Sequence, residues 1–136
     1  MEWHAYVDGA SAGNPGESGA GIVIYDENGC ELHREGIYLG RMTNNMAEYE
    51  ALLLALKRTR ESSVRNLYVY TDSLLVANQL SGKYKINSTE LLKYVTSARA
   101  MLSYFDKFVI KHIPREMNRI ADKLAKEAVD KKGVDG

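Results

Sequence analysis

The stretch Asn66-Leu67-Tyr68-Val69-Tyr70-Thr71-Asp72-Ser73 decides the fold. Residues 66–71 are rich in aromatic and aliphatic side chains, the pattern of a short strand, and Asp72-Ser73 is a helix-start signal. Helical periodicity stands on both sides of it. A strand set between helices needs crossover connections, so it enters its sheet parallel to a neighbour.

Three strands lie upstream. Trp3–Asp8 alternates Trp3, Ala5 and Val7 against His4, Tyr6 and Asp8. Gly9–Gly19, rich in Gly, Ser and Asn, reads as a loop. Gly21–Tyr25 and Glu31–Leu39 flank Asp26-Glu27-Asn28-Gly29, whose Asn-Gly step marks a hairpin. Thr43 or Asn44 then caps a helix of strong helix formers reaching about Arg58. Downstream, a short helix follows Asp72-Ser73 through Leu80, and Gly82–Asn87 is a polar link. A helix from Ser88 or Thr89 runs to about Ser103, a strand covers Lys107–Ile113, and a last helix spans about Met117 to Val129. Residues 130–136 are expected to fray. The order implies an α/β domain with a mixed five-stranded sheet, three antiparallel N-terminal strands plus two parallel, flanked by helices.

The chain has 136 residues, the size of one domain with a sizeable core. With 45% hydrophobic and 26% charged residues it is an ordinary globular sequence, not a disordered one. No apolar run approaches the ~20 residues that span a bilayer, and Met1–Tyr6 carries no signal-peptide pattern. The one cysteine, Cys30, suits the cytoplasm and is expected to be a small buried or edge residue. Net formal charge is zero, which by itself argues against a nucleic-acid binder. That average hides a split: residues 1–56 hold two basic and nine acidic side chains, residues 57–136 sixteen and nine.

Four carboxylates stand where a core would not want them. Asp8 ends an alternating strand, and Asp72 follows directly on the strand 66–71. Glu48 shares the apolar face of its helix with Ala51, Leu52 and Ala55, whereas Glu50 is turned toward solvent. Asp122 flanks the stripe Ala121, Leu124, Ala125 and Ala128. Each has a structural explanation alone: a turn residue, a helix cap, a paired interior glutamate, a flank charge. Together they converge, because two parallel neighbouring strands bring Asp8 and Asp72 to one sheet edge. Clustered carboxylates need a cation. Oxygen ligands suit Mg²⁺ or Mn²⁺, and two such ions ~3.5–4 Å apart serve phosphodiester displacement.

Four segments carry a resemblance: Tyr6-Val7-Asp8-Gly9-Ala10-Ser11-Ala12-Gly13-Asn14-Pro15-Gly16, Thr43-Asn44-Asn45-Met46-Ala47-Glu48-Tyr49, Tyr70-Thr71-Asp72-Ser73 and Asn118-Arg119-Ile120-Ala121-Asp122-Lys123-Leu124-Ala125. In this order they resemble type 1 ribonuclease H over about residues 5–128. The resemblance implies endonucleolytic cleavage of the RNA strand of RNA/DNA hybrids, leaving 5′-phosphate and 3′-hydroxyl ends. It makes Asp8, Glu48, Asp72 and Asp122 the metal-binding catalytic quartet for two Mg²⁺ ions, for which Mn²⁺ substitutes. Asp8 and Asp72 would share the ions, Glu48 would hold one near the substrate 2′-hydroxyl, and Asp122 would complete the other. Gly9, Asn14, Asn44, Asn45 and Ser73 match substrate-contacting positions, and Arg41 and Thr43 with Asn14 match a pocket for a DNA-strand phosphate. His112 and Arg115 compete for the family's helper in proton transfer or product release.

The chain also departs from the best-known bacterial pattern. The link after Leu80 passes straight to the next helix, without a Lys/Trp-rich basic protrusion, as in compact archaeal-type and some Gram-positive members. Lys83 and Lys85 flank Tyr84 but do not amount to that protrusion. Leu74 replaces a substrate-contacting Gln of some relatives. Tyr68 and Tyr70 are read as sheet packing. Two other readings stand beside the hybrid nuclease. A resolvase-like or exonuclease-like member of the superfamily would not need the Asn14 and Thr43-Asn44-Asn45 features. A catalytically silent hybrid-binding module would have lost a carboxylate. A cytoplasmic monomer with no obligate protein partner and no membrane attachment is expected.

Overall fold

The structure is a computed structural model that describes residues 1–83 and 85–135, with side chains described as far as Lys131. Tyr84, between the two lysines of the polar link, lies outside the described residues. The elements are β1 (Trp3–Ser11), β2 (Gly16–Tyr25), β3 (Glu31–Met42), α1 (Asn44–Glu61), β4 (Asn66–Thr71), α2 (Leu74–Leu80), α3 (Thr89–Leu102), β5 (Lys107–His112) and α4 (Arg119–Asp135). A single 3₁₀ turn at Arg115–Met117 precedes α4. The sheet order is β3-β2-β1-β4-β5, with β1–β2 and β2–β3 antiparallel and β1–β4 and β4–β5 parallel. This is the mixed sheet expected from the sequence.

Alternation along the strands assigns the two faces. Ala5 and Val7 of β1 and Ala20, Ile22 and Ile24 of β2 are buried against Tyr49, Ala51, Leu52, Ala55 and Leu56 of α1. The opposite face of β2 carries Gly19 and Gly21, which meet α4. An ideal Cβ on Gly21 would lie 2.1 Å from the Ala121 carbonyl oxygen, so α4 rests on bare backbone there. The helix that carries Asp122 is thereby held close to the strand opposite Asp8, since Asp8 pairs with Gly21.

The loop expected over Gly9–Gly19 is a correction. β1 continues to Ser11 and β2 starts at Gly16, so residues 12–15 alone connect them. Glycine there is a packing requirement more than a turn signal. A Cβ on Gly9 would sit 2.2 Å from the Ala47 carbonyl carbon, because α1 lies directly on β1. Asp8 therefore lies inside β1, not at its end. Its neighbour Val7 is nonetheless the last residue to pair with β4, opposite Thr71. Beyond that pair β1 follows β2 while the chain leaves β4, and a crevice opens between Asp8 and Asp72.

Other differences are local. Glu50 is half-buried rather than turned to solvent, because the Tyr94 hydroxyl of α3 donates to it at 2.7 Å. Cys30 is exposed, since it follows the hairpin turn that Asp26 closes by accepting from the Asn28 and Cys30 N–H groups. Helix α4 begins at Arg119, later than expected, and extends past Val129. His4 stacks on Tyr68 and Tyr6 on Tyr70, so the tyrosines of β4 spend their ring faces on sheet neighbours.

Candidate metal centre and nucleic-acid cleft

Three carboxylates, from β1, α1 and the link between β4 and α2, meet at the crevice. Ligand oxygens of Asp8, Glu48 and Asp72 all lie within 4.8 Å of one another. Asp8 and Glu48 are buried and Asp72 is half-buried. Each is aimed by its local backbone. The Gly9 N–H donates to Glu48 Oε1, a contact that the missing Cβ at Gly9 permits. Ser73 caps α2, its hydroxyl accepting from the Val76 N–H at 3.2 Å. Asp72 is thus relieved of the capping duty that would otherwise explain it, and its carboxylate is left for the cluster.

Electrostatics suits the cluster to a cation. Burial raises the Asp8 carboxyl far above the usual range, and the charges of Glu48 and Asp72 raise it further. Burial also raises Glu48, against the lowering effect of its hydrogen bonds with Asp8 and the Gly9 N–H. Buried carboxylates that repel one another give up charge unless a cation compensates them. The all-oxygen donor set fits a hard divalent ion and lacks the His or Cys ligands of a zinc site.

Asp122 stands beside this trio and is held differently. Burial works to raise its pKa, but the hydrogen bond with Asp8 and the charges of Lys126 and Arg115 prevail and lower it. Lys126 Nζ lies 3.0 Å from Asp122 Oδ2, and Arg115 Nη2 lies 3.7 Å from Oδ1. All four carboxylates, with Gly9, Ser11, Asn44, Arg115 and Lys126, line one cleft of about 310 Å³. Sequence reasoning missed Lys126, although its i,i+4 spacing from Asp122 was available as a signal.

The remaining candidates divide by place. Asn14 Oδ1 accepts from the Asn44 N–H at 3.0 Å, which ties the β1–β2 connection to the start of α1. Thr43, not Asn44, caps α1, its hydroxyl accepting from the Met46 N–H. Asn14, Asn44 and Asn45 are exposed at this rim. Arg41 is exposed near the end of β3 and pairs in register with Glu17. Of the two helper candidates, Arg115 lines the cleft with 70% of its side chain exposed, whereas His112 closes β5 opposite Thr71 and is not among the lining residues.

A further residue went unnoticed in the sequence. Asn118, only 1% exposed, donates from Nδ2 to the Val7 carbonyl at 2.8 Å and contacts Asp72 Oδ2 at 3.5 Å. The sequence reading places Asn118 inside the first turn of the last helix, so nothing in its spacing signalled that it turns toward the sheet.

This mixed sheet, with acidic side chains gathered where β1 and β4 part, is a ribonuclease H-like fold. A "Reverse transcriptase-like" family model matches residues 6–128. Ribonuclease HI of Halobacterium salinarum is 42% identical over 127 residues, covering 93% of this chain. The chain spans 64% of the length of that relative. The crystal structure of RNase H1 from the same archaeon superimposes with a TM-score of 0.94 at 40% identity, covering 96% of this chain and 99% of that one. LC11-RNase H1, solved in complex with an RNA/DNA hybrid, gives 0.92 at 38% identity, covering 96% and 99%. The chain belongs to the type 1 ribonuclease H family.

Proposed function

We propose that this chain is a metal-dependent endonuclease that hydrolyses the RNA strand of RNA/DNA hybrids to 5′-phosphate and 3′-hydroxyl ends. The observation that carries this reading is the Asp8–Glu48–Asp72 cluster at a cleft whose rim presents uncharged amides. The solved complex of LC11-RNase H1 with an RNA/DNA hybrid supports it. Asp8 and Asp72 would share two Mg²⁺ ions, with Glu48 completing the shell of one and Asp122 that of the other, Mn²⁺ serving in place of either. Ions held there supply a nucleophilic water at neutral pH and neutralise the charge that develops on the leaving oxygen.

The chain's own residues bind and orient. The Gly9 N–H and the burial of α1 fix Glu48, and Ser73 keeps Asp72 out of the helix cap. Asn14, Asn44 and Asn45 offer donors and acceptors without charge to the wide minor groove, where only RNA displays a 2′-hydroxyl. Arg41 and Thr43 with Asn14 would receive a phosphate of the DNA strand. Arg115 presents a fixed positive charge to the departing phosphate, and His112 is the alternative helper. In this reading a monomer acts in the cytoplasm without an obligate protein partner. Among the described residues no helix is long and apolar enough to cross a membrane.

Incubation with Mg²⁺ and, separately, RNA/DNA hybrid, double-stranded RNA and double-stranded DNA tests the reading. The expected result is cleavage of the RNA strand of the hybrid, reduced more than about 100-fold by Asp72→Asn. Intact hybrid, or equal cleavage by the Asp72→Asn protein, would overturn it.

A further inference from the structure

Asn118 occupies the N-cap position of α4 and forgoes the cap. Its backbone carbonyl accepts the first helical bond, from the Asp122 N–H at 3.1 Å. A capping asparagine ordinarily turns its side-chain oxygen onto the N–H groups of its own first turn. Here Nδ2 faces the Val7 carbonyl of β1 and the Asp72 carboxylate beyond β4, and Oδ1 is the one buried side-chain polar atom without a partner among the described residues. The orientation cannot be reversed, because Oδ1 would then face the Val7 oxygen at hydrogen-bond distance. A lost cap and a dehydrated acceptor each cost about 1 kcal/mol or more, so the local rule of caps is given up for one long-range hydrogen bond to Val7. Such breaks of a local rule mark functional positions.

The placement of Asn118 says what is gained. One turn after it comes Asp122, and its amide touches the carbonyl that precedes Asp8 and the carboxylate of Asp72. Three of the four carboxylates are therefore referred to a single buried amide. From this geometry we infer that Asn118 is a positioning residue, setting the Asp122-bearing helix against the β1–β4 edge so that metal ligands from both parts meet at cation-binding distance. The inference rests on the metal-site reading above and adds the residue that holds its two halves in register.

Asn118→Ser separates this role from a merely structural one. A serine restores the ordinary cap of α4 and removes the bridge to Val7 and Asp72, so it should lose less stability than Asn118→Ala while losing as much function. The variant, with Asn118→Ala beside it, is compared with the parent by thermal unfolding, calorimetric titration with Mn²⁺ alone, and steady-state cleavage of hybrid. Asn118→Ser should unfold above Asn118→Ala, while both bind Mn²⁺ about tenfold more weakly than the parent. The kcat of Asn118→Ser should fall about tenfold or more with KM within about twofold. A folded Asn118→Ser protein with Mn²⁺ affinity within about twofold of the parent would overturn the inference. So would affinity losses in both variants that merely track their losses of stability. A parent protein that leaves hybrid intact would remove the nuclease reading, and the Mn²⁺ comparison would still decide the role of Asn118.

Discussion

At the scale of single residues, the site depends as much on what is missing as on the carboxylates. Glu48 reaches the cluster because Gly9 has no side chain: a Cβ there would lie 2.2 Å and 2.3 Å from Ala47 and Glu48 backbone atoms. Backbone cannot rotate away as a side-chain tip can. Gly9→Ala should therefore lift α1 from β1, destabilising by about 1–3 kcal/mol in urea unfolding, and weaken Mn²⁺ binding by displacing Glu48. Unchanged Mn²⁺ affinity in that variant would show that Glu48 is not aimed by this contact. The four carboxylates were legible in the sequence because each violates a pattern: charge on an apolar helix face, or at the sheet edge where strands part. The sequence left Asn118 without a role and gave Gly9 only that of a substrate contact. An asparagine in the first turn of a helix and a glycine after an aspartate break no local rule, and their long-range contacts leave no trace in spacing.

At the scale of elements, periodicity recovered the five strands and four α-helices of the described residues, missed the 3₁₀ turn at Arg115–Met117, and erred where small residues carry strand geometry. Gly9–Gly19 has turn composition, but its glycines sit in β1 and β2 to receive α1 and α4. Propensity reports backbone freedom and does not distinguish a bend from a contact surface. Joining of elements is visible at β3 and α1, where Arg58 donates to both oxygens of Glu35 at 2.9 Å. Those hydrogen bonds hold the Glu35 carboxyl down to about 2, against an ordinary value of 4.5. As pH falls, the unfolded chain takes up this proton first, so the stabilisation is complete above about pH 4.5 and lost as pH falls through about 2. The pair borders solvent, so its contribution is about 1 kcal/mol, well below the full shift. Between pH 7 and pH 3 the parent should lose more stability than Glu35→Gln by somewhat over half of that amount in urea unfolding. Equal losses would remove Glu35 from the acid response.

At the scale of the whole molecule, zero net charge acquires a different meaning. The acidic N-terminal part supplies Asp8 and Glu48, and two divalent cations at the site would bring the formal charge from 0 to about +4. Grip on a nucleic acid would then be metal-assisted and modest, because α2 leads to α3 through a short link without a further helix among the described residues. A relative that carries a basic protrusion would neutralise more phosphates. Hybrid affinity here should therefore fall less steeply with salt, by about 0.9 in log–log slope for each phosphate left unneutralised. Binding of hybrid to the metal-loaded protein across a series of KCl concentrations measures it. A slope as steep as that of a protrusion-bearing enzyme would contradict the expectation. The arrangement of the layers has one more consequence. Glu48 comes from the helix on one face of the sheet and Asp122 from the helix on the other, and α4 leaves the ribosome after every strand it covers. A nascent chain can complete its sheet and still lack the fourth carboxylate. In the metal-site reading proposed above, the site would be complete only once α4 has docked on the finished sheet.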